Sequence, residues 1–433
     1  MSSNSAATVA SSNVGNRWLI AIMGTVLQLC LGTVYAWSFF QKPLMTAYGW
    51  SNTQASWAFS LAICFLGLAA AWGGINLPKY GPKKLAVTGG ILYGLGYLIS
   101  AFALTQKNLP LFYLGFGIVG GIGLGLGYVT PVATAAKWFP DRKGFITGMV
   151  VMGFGLGALL MSRVIAPNLM EMTGKNLVMV FMYIGFIMLV CTLPAALTLR
   201  NPPAGFVPKG YTPPVATSAA SAAADDALTA KHCVFSGRFF LMWLIFFSNI
   251  CAGIMFIGFQ SPMLQDLLKL SNPTLTAAAL AGVGATLIAI SSIFNGIGRF
   301  FWGGLSDKIG RIQAFRLILG SQILVFVSLI FVNNPIVFGV LVCYVLLCYG
   351  GGFGSMPSFV MDVFGTRLMS VVYGIILTAW SMAGIVGPQL VAFIKDNYAS
   401  QAAKYTFIAG ASLLLFGLIV SLFASNKKFA VKQ

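Results

Sequence analysis

The sequence predicts an all-α integral membrane protein, with twelve transmembrane helices in two pseudo-symmetric six-helix halves. Three observations predict it. Hydrophobic side chains supply 58% of the 433 residues and charged ones 8%, with a mean hydropathy of +0.87, far outside the range of water-soluble domains. The apolar residues gather into runs long enough to cross a bilayer. The pattern of the first half of the chain returns weakly in the second.

Taken in order, the runs cover roughly 17 to 40, 55 to 77, 85 to 104, 110 to 135, 144 to 167, 177 to 199, 238 to 264, 276 to 304, 312 to 332, 335 to 360, 369 to 394 and 402 to 424. Each is apolar throughout, where the strands of a membrane barrel would alternate with polar residues. The tail at 1–16 lacks the basic-then-apolar pattern of a cleaved signal, so the first helix is expected to insert uncleaved. Residues 200–237 form the one long polar interruption, with Pro202-Pro203, Pro213-Pro214 and an Ala/Ser-rich stretch from Thr217 to Ala224. They divide the chain into an N-terminal half at 17–199 and a C-terminal half at 238–424, followed by a tail at 425–433. Two echoes support the division. Trp72-Gly73-Gly74 before Lys79-Tyr80-Gly81-Pro82-Lys83 returns as Trp302-Gly303-Gly304 before Asp307-Lys308-Ile309-Gly310-Arg311, and Gly127-Tyr128 through Phe139 and Arg142 returns as Gly352-Phe353, Phe364 and Arg367. Paired six-helix repeats are a transporter architecture, with the substrate held near the midplane between them.

The formal charge of +18 would suggest nucleic acid in a soluble protein, but here the distribution of the basic residues decides. Most of them, among them Arg17, Lys83, Lys84, Lys137, Arg142, Arg238, Lys308, Arg311 and Lys427, fall on the tails and the even-numbered loops. The positive-inside rule then makes both termini cytoplasmic and the protein a multi-pass resident of the cell inner membrane. Its partners are the bilayer and a small solute, not nucleic acid. The seven cysteines sit mostly inside apolar runs without disulfide or metal spacing, and His232 is the single histidine. No metal site, no cofactor and no enzyme activity are expected. Gly115-x-Gly117-x-x-Gly120 matches a dinucleotide fingerprint but lies inside an apolar helix, without the strand that motif requires.

One charge stands out. Arg299 lies well inside the eighth run, about two helical turns short of Asp307 and Lys308, too deep to reach the interface easily. All eight acids, Asp141, Glu171, Asp225, Asp226, Asp266, Asp307, Asp362 and Asp396, fall in loops or at helix ends. A guanidinium at membrane depth without a protein counter-ion marks a substrate path, and its planar fork suits a carboxylate.

The loop Gly304-Leu305-Ser306-Asp307-Lys308-Ile309-Gly310-Arg311 resembles the loop signature of the major facilitator superfamily, with Pro78 standing in the first copy where the aspartate is expected. Within that superfamily the chain resembles the oxalate:formate antiporter family, related to the monocarboxylate transporters. The resemblance is carried by Gly15-Asn16-Arg17-Trp18, Val34-Tyr35-Ala36-Trp37, Lys137-Trp138-Phe139-Pro140-Asp141-Arg142-Lys143-Gly144, Phe294-Asn295-Gly296, Arg299-Phe300-Phe301-Trp302-Gly303, and Pro357-Ser358 with Asp362-Val363-Phe364-Gly365. It implies the major facilitator fold, a conformational latch between Asp307 and Arg311, and a cavity walled by Tyr35, Tyr128, Phe154, Tyr349, Phe353 and Trp380 around Arg299. It also implies two departures. Proton-linked monocarboxylate carriers place an aspartate one turn before the arginine, where this chain has Asn295, which cannot titrate. The family's oxalate carriers place a second cation on the eleventh helix, where this chain has Trp380.

The expected function is therefore secondary transport of a small monocarboxylate such as formate, lactate or pyruvate by alternating access, through exchange or uniport, with a monomer as the working unit. Oxalate:formate antiport, proton-coupled monocarboxylate symport and an anion channel are the alternatives.

Overall fold

The computed structural model describes residues 16–203, 205–208, 210–211, 228–365 and 367–429, so residues 1–15 of the first tail and 212–227 of the central loop lie outside it. Every membrane crossing it describes is helical. The spans are α1 (Arg17–Tyr48), α2 and α3 (the two limbs of Asn52–Thr105), α4 (Leu109–Trp138), α5 (Phe145–Met172), α6 (Leu177–Thr198), α7 (Gly237–Ser271), α8 (Ala277–Ile309), α9 (Arg311–Leu329), α10 (Pro335–Phe364), α11 (Met369–Asn397) and α12 (Ala399–Leu422). Their number agrees with the apolar runs. Between α2 and α3 there is no loop: helix runs up to Gly81, which alone turns the chain at φ 75°, a left-handed conformation that a side chain would strain.

Local sequence sets most helix starts. Asn16, Ser51, Asn108, Asn176, Ser236, Thr276 and Asn334 each accept a hydrogen bond from a backbone N–H of the first turn, and Ser51 with Gln54 forms a complete capping box. The far ends overrun the apolar runs. α1 continues to Tyr48, where Gly49 at φ 68° stops it, and α7 continues to Ser271. Hydropathy marks the hydrocarbon slab, whereas a helix ends where its backbone is capped.

Four spans depart from regular α-helix, α4 by a π stretch at Tyr113–Val119. α1 tightens to a 3-10 stretch at Gly32–Ala36, and α5 widens to a π stretch at Met161–Ile165. α11 breaks at Leu377, between the segments Met369–Ile376 and Thr378–Asn397. Such irregular turns commonly mark functional sites and hinges.

The first six spans meet the last six chiefly along α2 against α11 and α5 against α8. Glycines bring α8 and α10 together at the level of Arg299. A Cβ on Gly354 would strike the Arg299 carbonyl oxygen, and one on Gly298 would strike that of Leu347. The Gly-rich runs thus serve as close-packing seams.

Gly354→Val is expected to wedge these two helices apart and to cost about 1–3 kcal/mol, the usual range for overpacking. Thermal unfolding of the purified protein should show a lower midpoint, while Gly304→Val, where a Cβ has nothing within 4 Å, leaves it nearly unchanged.

Candidate functional site

The irregular stretch of α1 aims Tyr35 inward, toward the level at which Arg299 leaves α8. Arg299 is only 1% exposed, and its Nε, Nη1 and Nη2 make no hydrogen bond among the described residues. Its Cζ lies 5.0 Å from the ring centroid of Phe353 and 6.0 Å from that of Phe154. Cation–π contact with a desolvated cation contributes about 2 kcal/mol, against the several kcal/mol that taking an ion out of water costs. The rings offset part of the burial cost of Arg299, and its guanidinium N–H groups stay free to bond.

The aromatic residues expected around it form one continuous cluster. Tyr35 meets Phe154 at 5.0 Å, Tyr349 at 5.8 Å and Trp380 at 6.2 Å between centroids, and Tyr128 meets Phe154 and Trp380 at 5.1 Å each. Phe353 closes the ring against Trp380 at 4.7 Å. The Tyr35 and Tyr349 hydroxyls are hydrogen-bonded to each other, joining α1 to α10 across the centre. By contrast the Tyr128 hydroxyl, with Tyr373 and the Arg299 guanidinium beside it, and the Trp380 indole N–H are buried without a hydrogen bond of good geometry among the described residues. Buried donors left this way are costly, so a ligand that accepts from them gains affinity.

Asn295 sits one turn away on α8, also buried, with its Oδ1 unpartnered. It borders a cavity of about 10 Å³ with Tyr35, Gln260, Ser291 and Ser292, in which the Ser291 hydroxyl donates to Gln260 Oε1. That is room for about one water molecule. The structure therefore gathers Arg299, Asn295, Tyr35, Tyr128, Phe154, Tyr349, Phe353 and Trp380 at one buried centre.

Asp307 and Arg311 lie apart from it, at the membrane face that carries both ends of the described chain. They pair with each other, and Arg311 Nε also donates to Asp362 at 2.8 Å, so the end of α8 is tied to the end of α10. On the same face, where the first copy of the loop has Pro78, the charges are joined elsewhere: Arg17 forks onto Asp141 at 2.8 and 3.2 Å.

Sequence reasoning missed three contributors. Tyr373 on the inner segment of α11 is buried with a free hydroxyl that adjoins Tyr128. It lies two turns before Trp380, on the same helix face, and the argument that a buried phenol needs a partner applied to it equally. Asp362 was visible only as one of the loop or helix-end acids and as part of a family segment, with no role. The third is Asp266, at the opposite membrane face, whose carboxylate holds Lys42 at 2.7 Å and Lys395 at 2.6 Å, so that α1, α7 and α11 meet over the centre. Beside it, Asp396 accepts from the backbone N–H groups and side chains of Asn52 and Thr53 at the start of α2. Helix ends that overran the apolar runs carried these groups out of view.

A family model described as Major Facilitator Superfamily matches residues 8–388. Among curated proteins the chain is similar to the oxalate:formate antiporter of Oxalobacter formigenes, 27% identical over 94% of this chain and 91% of that one. It is also similar to apicoplast pyruvate carrier 1 of Toxoplasma gondii, 25% identical over 95% of this chain and 88% of that one. The solved structure of a D-xylose-proton symporter superposes with a TM-score of 0.70 at 14% identity, covering 95% of this chain and 99% of that one, which speaks to the fold alone.

Neutralising Asp266 should loosen the face opposite the termini. A Cys replacing Ser38, which is 1% exposed on α1, is expected to react about 5–30-fold faster with a hydrophilic maleimide when Asp266→Asn is added, the shift produced by one to two kcal/mol.

Proposed function

The chain belongs to the Major Facilitator Superfamily, and from that premise we propose that it moves small carboxylate anions across the membrane by alternating access, with Arg299 as their anchor. One observation carries this reading. A fully buried guanidinium faces aromatic rings, and none of the described carboxylates pairs with it. A ligand carboxylate supplies the missing charge and accepts the fork of two parallel N–H bonds. Tyr128, Tyr373 and the Trp380 indole N–H are further donors to it. Phe154 and Phe353 wall the site, and the bonded hydroxyls of Tyr35 and Tyr349 act as a gate.

A monocarboxylate suits this centre better than oxalate. Trp380 is neutral and buried where a second cation would be needed, so a second carboxylate would be desolvated without an ionic partner. Exchange or uniport follows from the charges on α8. Asn295 cannot take up a coupling proton, and a bound anion neutralises Arg299, lowering the cost of closing the site. In this scheme the halves 17–199 and 238–424 rock about the centre, both termini are cytoplasmic, the Asp307–Arg311 pair latches one state, and a single chain is the working unit.

The test is counterflow of labelled formate, lactate, pyruvate and oxalate in proteoliposomes, with and without a pH gradient. Arg299→Gln is expected to lower counterflow by at least about 100-fold, the loss of one buried charge-assisted pair, and Arg299→Lys to keep a remnant, because the charge survives without the fork. Near-normal counterflow in Arg299→Gln would overturn the anchor. Oxalate exchange outrunning the monocarboxylates would overturn the substrate preference, and unitary currents in planar bilayers would point to a channel.

A further inference from the structure

A second cavity lies away from the aromatic centre, among the ends of α7, α9, α10, α11 and α12 at the face opposite the termini. Its volume is about 580 Å³, within the range of small-molecule sites. None of the residues that surround Arg299 lines it. Its walls divide by chemistry. Met263, Phe338 and Phe407 form an apolar floor, and Lys395, Lys404 and Asp266 stand at the rim.

The charges at the rim do not balance. The two oxygens of Asp266 are already engaged, one by Lys42 and the other by Lys395. Lys404 pairs with none of the described carboxylates.

We propose that this cavity is a binding site for an amphipathic monoanion, with its acidic head on Lys404 and Lys395 and its apolar tail over Phe338 and Phe407. The lysines at the rim suit an acidic head, and the apolar floor suits a tail. A carboxylate small enough for the centre would leave that floor uncovered. The same chemistry comes from two sources, a free fatty acid or the head and chain of an anionic lipid. Asp266 competes with the ligand for Lys395, so the occupant and the closure of this face are linked through one lysine. The site is independent of the role assigned to Arg299.

The test uses the full chain in nanodiscs of phosphatidylcholine alone, titrated with labelled octanoate and corrected with protein-free discs. One saturable site per chain is expected, which octanol does not compete for. Lys404→Gln should weaken it about 10-fold, the loss of a charged hydrogen-bond donor. Asp266→Asn should tighten it by removing the competing carboxylate, while Arg299→Gln leaves it unchanged. Loss of octanoate binding in discs containing phosphatidylglycerol assigns the site to lipid, and its retention assigns it to free acids. The proposal is overturned if no saturable binding is seen, if Arg299→Gln abolishes it, or if it is indifferent to both Lys404→Gln and Asp266→Asn.

Discussion

The burial of one guanidinium is the constraint to which the centre of this protein answers. An arginine at bilayer depth is tolerated only where protein groups or a ligand replace its hydration. Around Arg299 the protein supplies ring faces, hydroxyls and an indole, and the described carboxylates all lie elsewhere. That choice has a reason. An acid in the centre would satisfy the arginine permanently and compete with any anion, whereas the weak, diffuse attraction of rings lowers the cost of the charge while leaving its hydrogen-bonding fork free.

To place six aromatic side chains from five helices around one cation on a sixth, the helices must approach more closely than their side chains would ordinarily permit. Glycines solve the problem. Gly354 and Gly298 let α8 and α10 touch at backbone level, and Gly32 brings α1 against the Phe154 carbonyl of α5. The 3-10 stretch that carries Tyr35 begins at that same Gly32, so one residue both permits the contact and starts the change of pitch that aims the phenol. The break at Leu377 serves α11 in a similar way, with Tyr373 on one segment and Trp380 on the other, both reaching Tyr128.

Much of this was legible in the sequence because membrane depth makes polarity informative. Arg299 could be singled out from its distance to the nearest loop charges, and Asn, Ser and Thr at the helix starts state their capping role directly. Tyr35, Tyr128 and Trp380 came from resemblance, since one aromatic residue in an apolar helix looks like any other until its neighbours are known. What the sequence hid were features set by backbone geometry. Hydropathy cannot distinguish a helix that ends at the interface from one that continues past it, so Lys42 and Asp266 read as loop charges although they stand on helices. Nor does any residue type at Leu377 mark a break, because the bond pattern there depends on how α11 packs against α2.

The two faces of the molecule are closed by different forces. At the face of the termini, the ion pairs Arg17–Asp141 and Arg311–Asp307–Asp362 each stay within the first six or the last six spans, and the contacts between the two sets include packing such as Gly74 against the Ser370 carbonyl and Phe145 against Phe300. At the opposite face, Asp266 reaches Lys42 and Asp396 reaches Asn52 and Thr53, so charged and polar bonds themselves cross between the sets. Packing contacts of that kind are lost sharply as surfaces part and are indifferent to salt. Exposed ion pairs weaken gradually with distance and are screened by salt. The contacts that cross between the sets at the face opposite the termini are therefore the ones sensitive to ionic strength, while those at the face of the termini are sensitive to side-chain volume.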